Sequence, residues 1–468
     1  MTHTIEDTIA RGMCIGCGTC SVATGGAIPL VLSRSGLFSA SLEGVAEHDI
    51  RRGSRVCPFS DEALNEDELG VPTPAGNALP IDPRLGRHGR VWAGRHRSND
   101  YLVGSSSGGL TSWLLDQLLA HDLVDGVIHV GRSPERGELF QYTISTDREG
   151  VTDRRKSQYY PTTLRDVLNT ARHEGQRYAL VGVPCFIKAA RLLCREDAEL
   201  QRAIRYFVGL VCGHMKSRFF AESLAWQVGV SPDELAAVDF RVKNPARTSS
   251  DYDFGALRIG EHDYTRRRTQ ALVGGNWGHG AFQPEACNFC DDVFAETADV
   301  VFGDAWLPRY SDDWRGTNVV VTRNADVDRL LAAGVESGEL ELEPLTVDEA
   351  ARSQAGGLRH RRDGLALRLA DDLLAGLSVP RKRVEPNLTA ASEGRAALIR
   401  QRRTMSRLSL EWFAEARERR DLQVYLRPMA AAIARYRRLE VTALATNVGE
   451  VARRISKRWF GFRRRRSG

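Results

Sequence analysis

With 468 residues, 42% hydrophobic and 27% charged, the chain can bury a sizeable core in two or three domains. It has no run of about 18 or more apolar residues, so no transmembrane helix is expected. The N-terminus, Met1-Thr-His-Thr-Ile-Glu-Asp, lacks the basic and apolar regions of a secretory signal. Nine cysteines in a chain without an export signal point to a cytoplasmic protein that ligates metal, not to a disulfide framework.

Residues 1–60 hold Cys14-Ile-Gly-Cys17-Gly-Thr-Cys20 and, further on, Cys57-Pro58. Three cysteines at two-residue gaps, with a distant fourth before proline, form the pattern that wraps an iron–sulfur cube. The glycines let the backbone turn tightly and aim amide N–H groups at the sulfides. Zinc is the alternative, although it is usually served by two separated Cys-x-x-Cys knuckles. Residues 61–90, with Pro72, Pro74, Pro80 and Pro83, read as an irregular linker.

The main body begins at Val91 with a strand. Gly104-Ser-Ser-Ser-Gly-Gly109 then leads into an apolar helix, with Leu110, Leu114, Leu115 and Leu118 at helical spacing. Such a turn offers N–H groups, hydroxyls and a positive dipole end to a phosphate, or serves as a plain helix cap. Strands are expected at 127–130, 178–182, 206–211 and 318–322, with a helix over 187–194 and a strand-like centre in 298–306. That alternation predicts an open, parallel α/β sheet.

Cys185 and Cys212 fall just past two of these strands, where parallel sheets place ligands. With the pair Cys287 and Cys290 they either converge on a second cluster or divide into core thiols and a zinc pair, leaving Cys194 as a small buried hydrophobe. His214, close to Cys212, is a candidate proton donor or hydrogen-bond partner of a ligand. His129 and His279 lie near the same segments, and Asp304 reads as structural. Arg241 and Lys243 share a strand face and call for an anion nearby, or else lie on a solvated surface.

The net charge of +5 is unevenly spread: the stretch from Arg395 on is strongly basic, and the rest is net negative. Helical segments at 390–421, 425–439 and 441–459 end in a mixture of arginines with Trp459, Phe460 and Phe462. That mixture suits an anionic membrane surface. The other readings are a solvated extension and nucleic acid, but no base-reading domain accompanies the tail.

Five collinear segments, CIGCGTC, SSSGGLTSWLL, VGVPCFI, GLVCGH and CNFCDDVFAETADVVFGDAW, resemble the family of coenzyme F420 hydrogenase/dehydrogenase beta subunits over residues 10–330. The family includes 7-hydroxymethyl chlorophyll a reductase and members encoded in cell-surface polysaccharide gene clusters. The resemblance implies a flavoprotein carrying FAD beside iron–sulfur clusters, with two [4Fe-4S] centres where both cysteine sets are present. It implies that Ser106, Ser107, Gly108 and Gly109 hold the FAD pyrophosphate. Lys156 and Ser157 are similar to the family's Ser-Lys-Tyr segment near the flavin, in reversed order. Arg241 and Lys243 become candidate contacts to coenzyme F420, an acidic deazaflavin.

The fold expected is α/β: a mixed or parallel flavin-binding body, a small ferredoxin-like N-terminal iron–sulfur segment (1–60), and a basic helical extension (381–468). The linker (61–90) precedes an FAD-binding part (91–170) and a part holding the second cluster (171–380). The function expected is an oxidoreductase passing electrons between FAD and the clusters, with F420 or ferredoxin as redox partner. Its substrate is expected to be a small molecule or glycolipid, at the inner membrane face if the tail docks there. The alternatives are an electron-transfer subunit without its own substrate and a zinc-bound accessory protein.

Overall fold

The computed structural model describes residues 2–70, 78–135 and 137–463, with side chains as far as 443. The N-terminal residues wind around the first cysteines. Leu30–Leu32 (β1) and Phe38–Ala40 (β2) pair as an antiparallel ribbon, and the short helix Thr19–Ala23 (α1) carries Cys20. Gly18 starts α1 from the left-handed region, at φ 86°, and a Cβ there would run into Thr163. Only glycine meets both demands.

The stretch read as a linker carries a short helix, Glu66–Leu69, and the ribbon of Ile81–Asp82 (β3) with Gly86–Arg87 (β4). Leu85 in that ribbon is fully buried. Pro72 and Pro74 lie outside the described residues.

In chain order the body strands are Val91–His96 (β5), Gly126–Arg132 (β6), Phe140–Ser145 (β7), Tyr178–Gly182 (β8) and Ile204–Leu210 (β9). Then come Leu235–Val242 (β10), Asp253–Arg258 (β11), Thr265–Arg268 (β12), Val300–Asp304 (β13), Asn318–Thr322 (β14) and Leu340–Pro344 (β15). Eight of them form one sheet in the order β15-β5-β14-β13-β9-β8-β6-β7. Its centre, β6, β8, β9 and β13, is parallel, while β7, β14, β5 and β15 join antiparallel. The sheet is therefore the mixed one of the two expected forms, parallel only at its centre. The link from β6 to β7 is too short to house a crossover helix, and so it returns the chain antiparallel. The strand expected around Arg241 is β10, which belongs to a separate antiparallel sheet with β11 and β12.

Alternate residues of the sheet feed two cores. Val127, Ala179, Val208 and Val300 face the helix Leu110–Ala120 (α2), and Ile128, Leu180, Phe207 and Val301 face the side of the helix Pro184–Glu196 (α3). Helices on both faces bury the sheet, which is why β8 and β14 are apolar runs buried at every position.

After the sheet and the helix Val347–Ser353 come four more helices: Ala355–Arg361 (α4), Asp363–Leu374 (α5), Glu393–Arg419 (α6) and Gln423–Arg463 (α7). The basic tail was expected to be an appendage, and as far as residue 443 it is not. Met405, Phe413, Tyr425 and Met429 are fully buried, in one core with Phe219, Phe254 and Phe282 of the body. The two segments expected at 425–439 and 441–459 are a single helix, α7. The arginine-rich end that suggested a membrane surface lies beyond the described side chains.

Candidate functional site

The first cysteine set is Cys14, Cys17, Cys20 and Cys57. All four line one small cavity together with Ile5, Ile9, Met13 and Phe59. The Ala40 N–H donates to Cys14 Sγ at 3.3 Å, and Cys17 Sγ lies 3.3 Å from the Thr19 hydroxyl. The Phe59 and Ser21 backbones approach the sulfurs of Cys57 and Cys20. Burial pushes Cys17 up to about 11, Cys57 to about 12 and Cys20 well above the ordinary thiol range, so a bound cation is what would hold these three as thiolates.

The second set is assembled from distant parts of the chain. Cys185 opens α3 just past β8, and Cys212 follows β9, so adjacent parallel strands deliver both to the same sheet edge. Cys287 sits in the 3-10 turn Glu285–Phe289, and Cys290 ends it. Burial pushes Cys185 well above the ordinary thiol range, Cys212 up to about 12 and Cys287 to about 11. The Met215 N–H donates to Cys287 Sγ at 3.3 Å.

The two sets adjoin. α3, which carries Cys185, packs against α1, which carries Cys20. Among the described residues, no three His, Cys, Asp or Glu side chains converge on a point, as a single metal ion would require. Cys194 lies apart, buried on α3.

Beside the second set opens a cavity of about 720 Å³, within the range of cofactor sites. One end is the serine–glycine loop at the N-terminus of α2, and Cys212 lines it elsewhere. The loop is closely held. Lys243 Nζ donates to the carbonyls of Leu102, Ser107 and Arg315. Ser107 Oγ donates to Thr317 O at 3.1 Å, and the Leu110 N–H to Asn318 Oδ1 at 3.2 Å. A Cβ on Gly108 would stand 2.8 Å from Gly94 O, so glycine is required where the loop crosses β5. Ser106 Oγ accepts from the Ser157 N–H at 2.8 Å, which joins two of the predicted segments.

Ser106, Ser107, Gly109, Lys156, Ser157, His214 and Arg241 line the cavity. Gly108 and Lys243 support the loop, and Lys243 spends its donors on carbonyls. Lys156 pairs with Asp239 at 2.6 Å. Arg241 is buried, forms a two-pronged pair with Asp304 at 2.9 and 3.1 Å, and lies over the Tyr252 ring.

Burial pushes the His214 imidazole well below its ordinary range, helped by the charges of Lys216, Arg402 and Arg361. Its Nδ1 faces the Arg402 guanidinium at 3.4 Å, so the neutral ring carries its proton on Nε2, which has no partner. His129 also lines the cavity, bonded to Ser145 Oγ at 2.8 Å, and burial pushes it down to about 4.

Two residues were missed from the sequence. Ser105 is buried against the cavity with its hydroxyl unpartnered. Lys216 is buried between the Phe220 and Trp277 rings, 4.4 and 4.6 Å away, and donates to Ala281 O. No local pattern marks a lone lysine of this kind; Ser105 was legible as part of the Ser-Ser-Ser run.

A mixed α/β body with two sets of four cysteines beside a cofactor-sized cavity defines a cysteine-rich α/β protein. The chain belongs to the family of coenzyme F420 hydrogenase/dehydrogenase beta subunits. The model of the N-terminal part of that beta subunit matches residues 91–169, and the model of its C-terminal part matches 175–348. The chain is similar to one subunit of the F(420)H(2) dehydrogenase of Methanosarcina mazei, 26% identical over 220 residues, covering 45% of this chain. It spans 56% of that relative's length. It is also similar to a chain of the F420-reducing [NiFe] hydrogenase complex from Methanosarcina barkeri, 16% identical with a TM-score of 0.49 over 65% of this chain and 99% of that one. The first cysteine set and helices α4 to α7 lie outside the residues matched by the two family models. Among the described residues, no helix is long and apolar enough to cross a membrane.

Proposed function

We propose that the chain is an iron–sulfur flavoprotein oxidoreductase. In this reading FAD lies in the large cavity, one [4Fe-4S] cluster is held by Cys14, Cys17, Cys20 and Cys57, and a second by Cys185, Cys212, Cys287 and Cys290. The observation that carries it is continuity: the cavity is lined by both the serine–glycine loop and Cys212, and α3 with Cys185 packs against α1 with Cys20 of the other set.

The residues fit these groups. Each tetrad is all thiol, the donor type that iron–sulfur clusters take, and backbone N–H groups already point at the sulfurs of Cys14 and Cys287. In the cavity, Ser105 Oγ, His214 Nε2 and Arg241 Nε are buried without partners, and each would gain one from a polar guest.

A bound flavin would supply exchange of an electron pair with a substrate and of single electrons with the clusters. The α2 N-terminus with Ser105 and Ser106 would bind the pyrophosphate. Arg241, held by Asp304, would present a fixed cation to an acidic ligand. His214 would donate its Nε2 proton as a hydrogen bond and orient the guest. Tyr159, Trp277 and Trp306 would exclude water from the far side.

The redox partner in this reading is coenzyme F420 or ferredoxin, and the substrate a small molecule or glycolipid of surface-polysaccharide assembly. Membership of the family supports F420, and the basic C-terminus supports work at the inner membrane face. The purified chain, mixed anaerobically with reduced F420 or reduced ferredoxin, is expected to show bleaching of a bound flavin with one of them. No bleaching with either would sink the reading.

A further inference from the structure

Three arginines crowd the second cysteine set, and all come from helices beyond the family-matched residues. Arg361 ends α4, Arg368 sits in α5 and Arg402 in α6. Arg361 donates to Gly213 O at 3.0 Å, next to Cys212, and reaches the Cys290 sulfur. Arg368 donates to Asn288 O at 2.8 Å, between Cys287 and Cys290. Arg402 donates to Gln283 Oε1 at 3.1 Å and Gly278 O at 3.0 Å, touches His360, and acts on Cys287 through its charge. His360 Nε2 in turn lies 3.2 Å from Cys287 O.

None of the three forms an ion pair with a carboxylate among the described residues. Elsewhere in the same molecule Arg383 pairs with Asp291 and Glu296 and the buried Arg191 with Asp299, whereas the buried Arg323 donates only to carbonyls, those of Leu85, Arg87, Phe294, Ala295 and Ala298. A guanidinium stays charged in proteins, and an unpaired buried charge is costly. Arg361 and Arg368, both buried, and the partly buried Arg402 gather around one point, and an anion in their midst would be favoured there. The cavity between the first four thiols is lined by no charged side chain at all.

We propose that Arg361, Arg368 and Arg402 hold the second centre at a more positive reduction potential than the first, with Arg402 as the contribution of the C-terminal helices. This rests on the reading of the two cysteine sets as clusters. Four thiolates give a cluster net negative charge, and reduction adds one more. Nearby fixed cations favour the reduced form, and an apolar shell without charge disfavours it. An electron placed on the first centre therefore passes to the second, which adjoins the cavity: the first is oxidised by one electron and the second reduced by one. The C-terminal helices thus give the pair of centres a direction, from the N-terminal set toward the cavity. The three arginines are positioning residues that act through charge.

The test is a dye-mediated redox titration of the full-length, anaerobically purified chain, followed by electron paramagnetic resonance. Two separate iron–sulfur midpoints are expected, and Cys17→Ser should abolish the lower one. Arg402→Gln should shift the upper midpoint downward and leave the lower in place, while Arg402→Lys should keep it near the wild-type position. Arg361→Gln, read in the same way, covers the case in which Arg402→Gln does not fold. One common midpoint, loss of the upper wave in Cys17→Ser, or an upper midpoint unmoved by the glutamine variants would overturn the proposal. A chain without iron would instead overturn the cluster reading beneath it.

Discussion

Gly108 shows how much a single residue carries in this site. Its missing Cβ lets the serine–glycine loop pass against the Gly94 carbonyl of β5, and the loop in turn fixes the direction in which the α2 N-terminus points. Gly108→Val should displace the loop and lower the flavin content of the purified chain severalfold, with iron unchanged. Full flavin content in that variant would mean that the cavity is held open by something other than the loop.

His129 gives a second test at this scale. Burial holds it at about 4 in the folded chain against an ordinary value near 6.5. Between those values the unfolded chain binds the extra proton, so the stability that a neutral His129 confers is complete above about pH 6.5 and is lost as pH falls toward 4. The difference is worth up to ~3 kcal/mol. His129→Gln should therefore flatten the loss of stability over that window in denaturant titrations. An unchanged slope would place the acid sensitivity elsewhere.

At the scale of elements, the strands β8 and β14 and the helices α2 and α3 were legible because buried runs and helical spacing are local signals. So were the first cysteine set and the serine–glycine loop, whose residues lie close together in sequence. The second set was legible only as a list, since Cys185, Cys212 and the Cys287/Cys290 pair meet through strand pairing that no local pattern records. The role of α6 and α7 was not legible. Their many arginines masked a narrow apolar seam, and no local pattern marks Arg402 and Arg403, which reach Gln283 and Glu285 in the body. Phe413 lies in that seam, fully buried against Phe219, Phe282 and Tyr425. Phe413→Ala should cost about 3–5 kcal/mol and lower the unfolding midpoint. A change below about 0.5 kcal/mol, as for an exposed position, would return these helices to the status of an appendage.

Across the whole molecule, the parts lie in an order: cavity, second cysteine set, first cysteine set. The sheet sets this order by ending β8 and β9 side by side at the cavity, while α1 and its loop are tied to the body where the Leu164 N–H donates to Cys17 O at 2.9 Å. The N-terminal segment, the family-matched body and the C-terminal helices each supply something that the others lack: a thiol set in an apolar shell, a cofactor-sized cavity, and cations around the second thiol set.

The measurement that tests this account most directly is anaerobic purification, with iron, acid-labile sulfide and flavin quantified on one sample. About eight irons and about one FAD per chain are expected, with sulfide matching iron, as two cubes and one flavin require. Zinc in place of iron, with no flavin, would contradict it.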